Sequence, residues 1–255
     1  MLNHLNHHLM KKKLSILFSA LLISIPLVAQ QHLFLEEKEI IIGGNNATAW
    51  VFPVEGEIDG ALDHLEDYCK ERSDIKMKKE GDNLLIAEEV SIATIAKQRG
   101  DMIGYGFPLE SYNALGIAFK LGYDIYLNST LWNMEMNNLR NYAKEFMSYH
   151  YERSYSERIA AAEDEIKSLE RELGKTERDV GKLEKDIERT NGKLADETDP
   201  AKVEEMKAEL LTLNADLEKL KETIPHLRSR IELLQGDVGN LKDESLTIQS
   251  AISSI

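Results

Sequence analysis

The most regular hydrophobic pattern lies in the second half of the chain, where apolar residues recur in a repeat of seven. A first double series runs from Ile159 to Leu194, and a second runs from Val203 to Ile255 with a single break at Ser245. Apolar residues at two positions of every heptad are typical of coiled-coil helices, with charged residues on the remaining positions. The pattern therefore predicts two long coiled-coil helices in succession.

The two series are out of phase across residues 195–200, where the sequence is Ala-Asp-Glu-Thr-Asp-Pro. Asp199 can accept hydrogen bonds from the free backbone N–H groups that begin a helix, and Pro200 suits the first helical turn. We therefore expect the chain to fold back here as an antiparallel hairpin with its tip near 195–200. At 1.5 Å per residue, its arm would extend roughly 60 to 75 Å beyond the first half of the chain.

Charge supports this fold-back without proving it. An antiparallel arrangement predicts ion pairs between Glu170 and Arg228 and between Glu177 and Lys221, on the flanks of the coiled-coil core. Each heptad series could instead pair with its copy in a second chain and form a long dimer. The phase break near the tip favours the intramolecular hairpin.

Shorter periodic segments fill the first half of the chain and predict a mixed domain. An apolar stripe at helical spacing predicts a helix, and runs rich in β-branched residues between turn sequences predict strands. The turn sequence Glu-Gly-Asp-Asn at 80–83 joins two of these runs into a hairpin. The predicted helix is Glu57–Arg72, and the strands are Ala49–Phe52, Ile75–Lys79, Leu84–Ile92 and Met102–Phe107.

Strict alternation from Leu115 to Leu127 predicts one long strand with seven apolar side chains on a single face. Gly116 and Gly122 within it favour a bent strand and hence a curved sheet. A helical stripe from Trp132 to Phe146 would cover that sheet.

The fold class is thus α+β, a small curved antiparallel sheet covered by helices and followed by a long antiparallel coiled-coil helical hairpin. We place the α+β domain at residues 30–130, with its last covering helix continuing to about 150. The long helix and the hairpin occupy residues 131–255.

The first 29 residues have the pattern of an export signal peptide. Lys11–Lys13 form a positively charged start, Leu14–Val28 an apolar segment, and Ala29 the residue after which we expect cleavage. An uncleaved membrane anchor is the alternative, but the apolar segment is shorter than the roughly 20 residues that a bilayer span needs. We predict a periplasmic or secreted bacterial protein with no stable membrane span after signal cleavage.

The amino-acid composition restricts the classes of molecule that the protein is expected to bind. The 255 residues contain 31 Lys and Arg against 45 Asp and Glu, which gives a formal net charge of −14. Such an acidic chain lacks the broad basic surface that nucleic acids require, so we expect no nucleic acid partner. The coiled coil favours a protein partner or self-association instead.

No catalytic, metal-binding or cofactor-binding constellation emerges from the sequence. Cys69, the one cysteine, falls on the apolar stripe of the predicted helix, as a buried structural thiol would. Of the seven histidines, His4, His7 and His8 are close enough to suggest a metal site, but they precede Met10, which stands directly before the lysines of the export signal and can be the true start. The other four, His32, His64, His150 and His226, are scattered, and no pair among them has metal-ligand spacing. We therefore predict a protein without catalytic residues, metal or cofactor.

Two aromatic segments have alternative interpretations. Tyr149, Tyr151 and Tyr155 could stack on a sugar or a peptide, but packing at the neck between domain and arm is the simpler interpretation. Gly104–Phe107 is glycine-rich yet lacks the spacing and the lysine of a phosphate-binding loop.

The leading hypothesis is an exported, non-enzymatic envelope protein that acts as a coiled-coil scaffold or protein-interaction module. One alternative is a periplasmic holdase-type chaperone whose arms clasp unfolded clients. The other is a ligand-binding or enzymatic α+β domain for which the coiled coil is an oligomerisation stalk. An apolar cavity beneath the curved sheet would favour this last alternative.

Overall fold

The computed structural model describes residues 33–255 of the chain. The predicted signal peptide at 1–29 and His32 lie outside the described residues. Within the described part, the elements are seven strands and three helices. They are β1 Glu36–Ile42, β2 Asn45–Val54, α1 Ile58–Ser73, β3 Lys78–Lys79, β4 Leu84–Val90, β5 Gly100–Pro108, β6 Asn113–Gly122, β7 Ile125–Tyr126, α2 Asn133–Asp196 and α3 Pro200–Ser254.

All strands join one antiparallel sheet in the order β1-β2-β6-β5-β4-β3, and β7 extends the end of β6. The first strand, β1, was not predicted. Its sequence Glu-Glu-Lys-Glu-Ile-Ile-Ile has no apolar alternation, because it lies at the edge of the sheet and pairs only with β2. Gly43 and Gly44 make the tip of a β1–β2 hairpin, and both glycines have positive φ.

Two strand predictions were wrong in extent. The segment 75–79 is a strand only at Lys78–Lys79, although it does form the predicted hairpin with β4. The single long strand predicted over 115–127 ends at Gly122, and Tyr123 and Asp124 make a turn with φ of 45° and 59°. Alternation continues across this turn by coincidence, since Tyr123 is fully exposed whereas Leu127 returns to the core.

The glycines of β5 allow helix α1 to lie directly on the sheet. A Cβ atom at Gly104 would collide with the side chain of Leu65, and one at Gly106 would collide with Ile58. The residues that alternate with these glycines, Tyr105 and Phe107, point to the opposite face and stack on each other. The glycine-rich segment 104–107 is therefore explained by packing between helix and sheet.

The sheet has a hydrophobic core on each face. The larger core lies between the sheet and the helices and contains the predicted stripes of α1 and α2, including Leu62, Leu65, Leu139 and Phe146 at 0% exposure. On the other face of the sheet, several buried alanines are surrounded by larger apolar residues. The side chain of Ile40 on the edge strand lies close to Gly116 of β6. This close approach is possible because Gly116 has no side chain. The predicted α+β fold class is confirmed.

Helices α2 and α3 form the predicted antiparallel hairpin, and 197–199 make its tip. The Asp199 side chain accepts a hydrogen bond from the backbone N–H of Ala201 at 2.9 Å, and Pro200 occupies the first turn of α3. Contacts with the domain continue as far as Arg158, which pairs with Glu55. The part of α2 beyond it, residues 159–196, is about 57 Å long, slightly less than predicted. We refer to residues 159–241 as the arm.

Ion pairs across the arm correct the predicted charge partners by one heptad. Arg228 pairs with Glu177 at 2.8 Å rather than with Glu170. Lys221 likewise pairs with Glu184 at 3.1 Å rather than with Glu177. Charged side chains beside the coiled-coil core extend diagonally toward the other helix. Their partners therefore lie further along that helix than the residue directly opposite.

The opposite flank of the arm is offset the other way and fixes the register. Arg230 contacts Glu165 at 3.0 Å there. On one flank the ion-pair partners are displaced in one direction along the arm, and on the other flank they are displaced by the same amount in the opposite direction. The midpoint places Val180 of α2 at the same height as Leu220 of α3. Four cross-helix pairs hold this register along the arm, and they join Glu163 to Lys242, Glu165 to Arg230, Glu177 to Arg228 and Glu184 to Lys221.

Candidate functional site

A group of polar side chains centred on two buried histidines lies where the arm leaves the domain. We call this group the arm root and define it by Glu55, His64, His150, Tyr151 and Glu157. Glu55 follows strand β2, His64 lies on α1, and the other three lie on α2. Three separate parts of the chain therefore meet at the start of the arm.

Two histidines form the centre of the arm root. His64 and His150 are 8% and 1% exposed, and their Nδ1 atoms are 2.9 Å apart. The backbone N–H of Glu55 donates to Nε2 of His150 at 3.1 Å, while Nε2 of His64 lies 3.4 Å from a carboxylate oxygen of Glu157. Both nitrogens of each ring therefore face a polar partner, as buried polar groups require.

Burial keeps the imidazole ring of His150 in its neutral form. Loss of solvent around the ring, followed by the neighbouring His64, lowers the pKa of His150 from 6.5 to about 3. Burial also raises the pKa of the Glu55 carboxyl, against the lowering effect of Arg158. The His150 ring is consequently neutral throughout the physiological pH range.

The tyrosines near the arm root pack as a neck, as the sequence predicted. Tyr151 and Tyr155 are buried, and the Tyr151 hydroxyl donates to the backbone carbonyl of Pro53 at 3.2 Å. Tyr149 is half-buried and packs against the larger core, as do Leu241 and Ile248 of the returning helix. The buried rings of Tyr151 and Tyr155 are closed to a ligand, whereas Tyr149 lines an outer hollow of about 520 Å³ together with Tyr68.

The returning helix α3 docks on the domain through its last turns. The amide of Gln249 donates to the Ser148 carbonyl at 2.9 Å, and Arg140 donates to the Ile255 carbonyl at 2.6 Å. Ile252 is buried in the larger core. The hairpin is therefore fixed to the domain through α3 as well as through α2, as the fold-back predicted.

Cys69 lies beneath the neck and is fully buried. Its Sγ atom is 3.2 Å from the hydroxyl of Tyr142, and burial raises the pKa of the thiol to about 11. A thiol held protonated in this way is a poor nucleophile, because the thiolate is the reactive form.

Three hollows lie along the outer flank of α1 and α2, with volumes of about 320, 520 and 450 Å³. All three share Glu145, which also receives a hydrogen bond from Arg72 at 3.1 Å. Their linings are mainly charged or amide side chains. They are therefore unlike the apolar cavity beneath the sheet that a ligand-binding domain would need, and the larger core fills that space with packed side chains.

Other kinds of site were sought in the described part of the chain. Within residues 33–255, no group of three or more His, Cys, Asp or Glu side chains is arranged to hold a metal ion. None of the helices between Leu33 and Ile255 has an apolar stretch of the length that crossing a bilayer requires.

Sequence reasoning missed the histidine pair, although both residues were considered. His64 and His150 are 86 residues apart in sequence, and no local spacing connects them. One signal could have found them. His64 lies next to Leu65 of one apolar helical stripe, His150 lies one helical turn after Phe146 at the end of the other, and both stripes were predicted to cover the same sheet.

Comparison of the chain with protein-family models, with curated proteins and with solved structures gave no match.

Proposed function

We propose that this protein is exported to the bacterial envelope and acts there, without catalysis of its own, as a coiled-coil scaffold that engages a protein partner through its arm. The observation that carries the proposal is the arm itself. Beyond Arg158, the named contacts of α2 join it only to α3, over a length of about 57 Å.

The arm has the properties of a spacer. Its two helices are held by four cross-helix ion pairs and by a seam of mostly apolar layers in which Thr176 and Thr190 are also buried. Pro225 inside α3 removes one backbone hydrogen bond from that helix. The apolar residues of the arm are mostly half-buried in the seam, while its outer positions are charged. An exposed hairpin of this length adds little to the hydrophobic core, but it extends far from the domain. Such an extension favours contact with another protein over catalysis.

The domain supplies the fixed end of this spacer. Both helices enter it, and the arm root and the docked end of α3 fix their direction. A partner that binds near the tip would thus be held at a defined distance from the domain. The export signal pattern of residues 1–29 supports the proposed location.

A photo-crosslinking experiment in the source cells tests the proposal. A photoreactive phenylalanine replaces Leu211, which is 76% exposed near the tip, and a matched variant carries it at Glu88, an exposed residue of the domain. The proposal predicts a discrete cross-linked product of defined mass from position 211 and none from position 88. A product of twice the protein's own mass would identify a second copy as the partner.

A shortened arm provides the matched control. Deleting residues 180–193 and 207–220 removes two heptads from each helix and preserves both the heptad phase and the register between the helices. Because the deletion also removes position 211, the complex is followed by competition. The proposal predicts that the shortened variant folds and is exported but, in excess, does not reduce the cross-linked product of the full-length chain, whereas excess full-length chain with Leu211 intact does. A shortened variant that competed as well as the full-length chain would refute the role of the arm.

A further inference from the structure

The hydrogen bonds of the arm root assign a single proton arrangement to its two histidines. Nε2 of His150 accepts the backbone N–H of Glu55 at 3.1 Å, so this nitrogen carries no proton. A neutral imidazole has one N–H group, and that of His150 must therefore be on Nδ1. It points at Nδ1 of His64, 2.9 Å away, which accepts it.

The same reasoning fixes the second ring. Because Nδ1 of His64 is an acceptor, its proton is on Nε2, where it faces the Glu157 carboxylate at 3.4 Å. A continuous chain of donors thus runs from the Glu55 amide through His150 and His64 to Glu157. The chain uses both nitrogens of both rings.

Neither histidine ring can take up an additional proton in this arrangement. On Nδ1 of His64 it would point at the N–H of His150, and on Nε2 of His150 it would point at the N–H of Glu55. In either position, two N–H groups would point at each other at hydrogen-bond distance. Protonation therefore requires the rings to separate, or Glu55 to leave His150.

The charged groups around the pair do not remove this conflict. On α2, Arg153 contacts Glu157 and also Asp67 of α1, so both carboxylates already have a cation. On the turn after β2, the Glu55 carboxylate pairs with Arg158 of α2, and Glu244 of α3 lies close enough to influence its charge. Glu157 could stabilise a charged His64, but no carboxylate contacts the ring of His150.

We propose that the His64–His150 pair is a pH-sensitive latch that holds the start of α1 and the turn after β2 against α2, and that mild acid shifts it toward its open state. When neutral, the pair joins three elements at the arm root. When protonated, it releases residues 55–64 from α2 while the rest of the sheet core stays folded. The arm would then leave the domain through a looser joint in an acidic envelope than in neutral solution.

The latch has a defined pH dependence. The open state binds a proton at the ordinary histidine pKa of 6.5, whereas burial lowers the pKa of His150 to about 3 in the closed state. The opening equilibrium should therefore increase about 30-fold between pH 7.5 and pH 5 from His150 alone.

Hydrogen exchange tests the latch on the chain beginning at Gln30, which contains all described residues. After correction for intrinsic exchange rates, the hydrogen-bonded amides of Glu55 and of residues 61–64 should lose about 30-fold in protection between pH 7.5 and pH 5. Amides in the centre of β6, such as those of Ile117 and Phe119, are the reference and should keep their protection. Equal loss in both regions, or no loss in either, would overturn the proposal.

A paired substitution separates the latch from general acid sensitivity. His64→Gln combined with His150→Gln retains polar side chains of similar reach and cannot be protonated in this range. The double variant should show pH-independent protection at residues 61–64, and persistence of the 30-fold loss would refute the role of the histidines.

If the double variant does not fold, nitrogen NMR of the unaltered chain decides the question. His150 should carry its proton on Nδ1 at pH 7.5 and lose that single form on acidification, with the exposed His226 of the arm as an internal comparison. A proton on Nε2 of His150 at pH 7.5 would contradict the proposed hydrogen bonds.

Discussion

Replacing Gly104 by alanine tests how closely helix α1 lies on the sheet. Gly104 is buried in the central strand β5, and a Cβ atom there would overlap the Leu65 side chain, which is itself 0% exposed. The added methyl group cannot be accommodated unless α1 or Leu65 moves. Overpacking of this kind lowers the free energy of unfolding by about 1 to 3 kcal/mol.

A second glycine provides the matched control. Gly60 lies on the outer side of α1, and a Cβ atom added there meets nothing within 4 Å. Gly60→Ala should raise the free energy of unfolding by about 0.5 to 1 kcal/mol, because alanine is the better helix former. In a chain of this length, the two variants should differ in Tm by roughly 4 to 12 °C, with Gly104→Ala the lower.

A double-mutant cycle identifies the contact responsible. Leu65→Ala alone should lower the free energy of unfolding by about 2 to 5 kcal/mol through loss of buried volume. Combined with Gly104→Ala, the loss should be smaller than the sum of the two, because the new methyl group occupies part of the space that Leu65 vacates. Urea unfolding followed by circular dichroism gives all four free energies. Strict additivity, or a neutral Gly104→Ala, would refute the close packing of α1 on β5.

Three further predictions concern the arm root, the tip and the arm. Burial lowers the pKa of His150 from 6.5 to about 3, so stability is complete above pH 6.5 and falls as the pH decreases toward 3; at pH 5 the free energy of unfolding should be about 2 kcal/mol lower than at pH 8. The same urea measurement on His150→Gln should show a smaller pH dependence, and an unchanged one would contradict the prediction. Asp199→Ala removes the acceptor for the Ala201 N–H and should lower stability by about 1 kcal/mol, whereas Asp199→Asn should have little effect. Gly181→Ala, at a helical position of α2 with open space around its Cβ, should stabilise the arm by about 0.5 to 1 kcal/mol, and a destabilised variant would show that another chain contacts this surface.

The hairpin could be predicted from the sequence because its determinants are local and repeated. Heptads from Ile159 to Leu194 and from Val203 to Ile255 define both helices, and the Asp199–Pro200 pair marks the tip. Charge partners such as Glu177 and Arg228 were predicted one heptad away from their observed positions. Heptad phase limits the register to steps of seven residues, and only the observed contacts select one step.

The domain was predictable in class but less so in detail. Edge strand β1 escaped notice because its exposed, charged residues have no period of two. The turn at Tyr123 and Asp124 was hidden because the apolar alternation happens to continue across it. In both cases, pairing with neighbouring strands decided the structure rather than local preference.

Sequence reasoning missed the arm root for a different reason. Its central contact joins His64 to His150, and neither residue has a partner at local spacing. The meeting depends on α1 and α2 lying side by side on the same sheet, and only the three-dimensional fold places them there.

The central claim is that one chain folds its two long helices into a single projecting arm. Small-angle scattering with in-line mass determination on the chain beginning at Gln30 measures both the number of chains and the greatest dimension. A single folded-back chain predicts the mass of one chain and a greatest dimension close to the roughly 95 Å length of α2. The mass of two chains together with a dimension well beyond that length would show that the heptads pair between chains, and would contradict the hairpin.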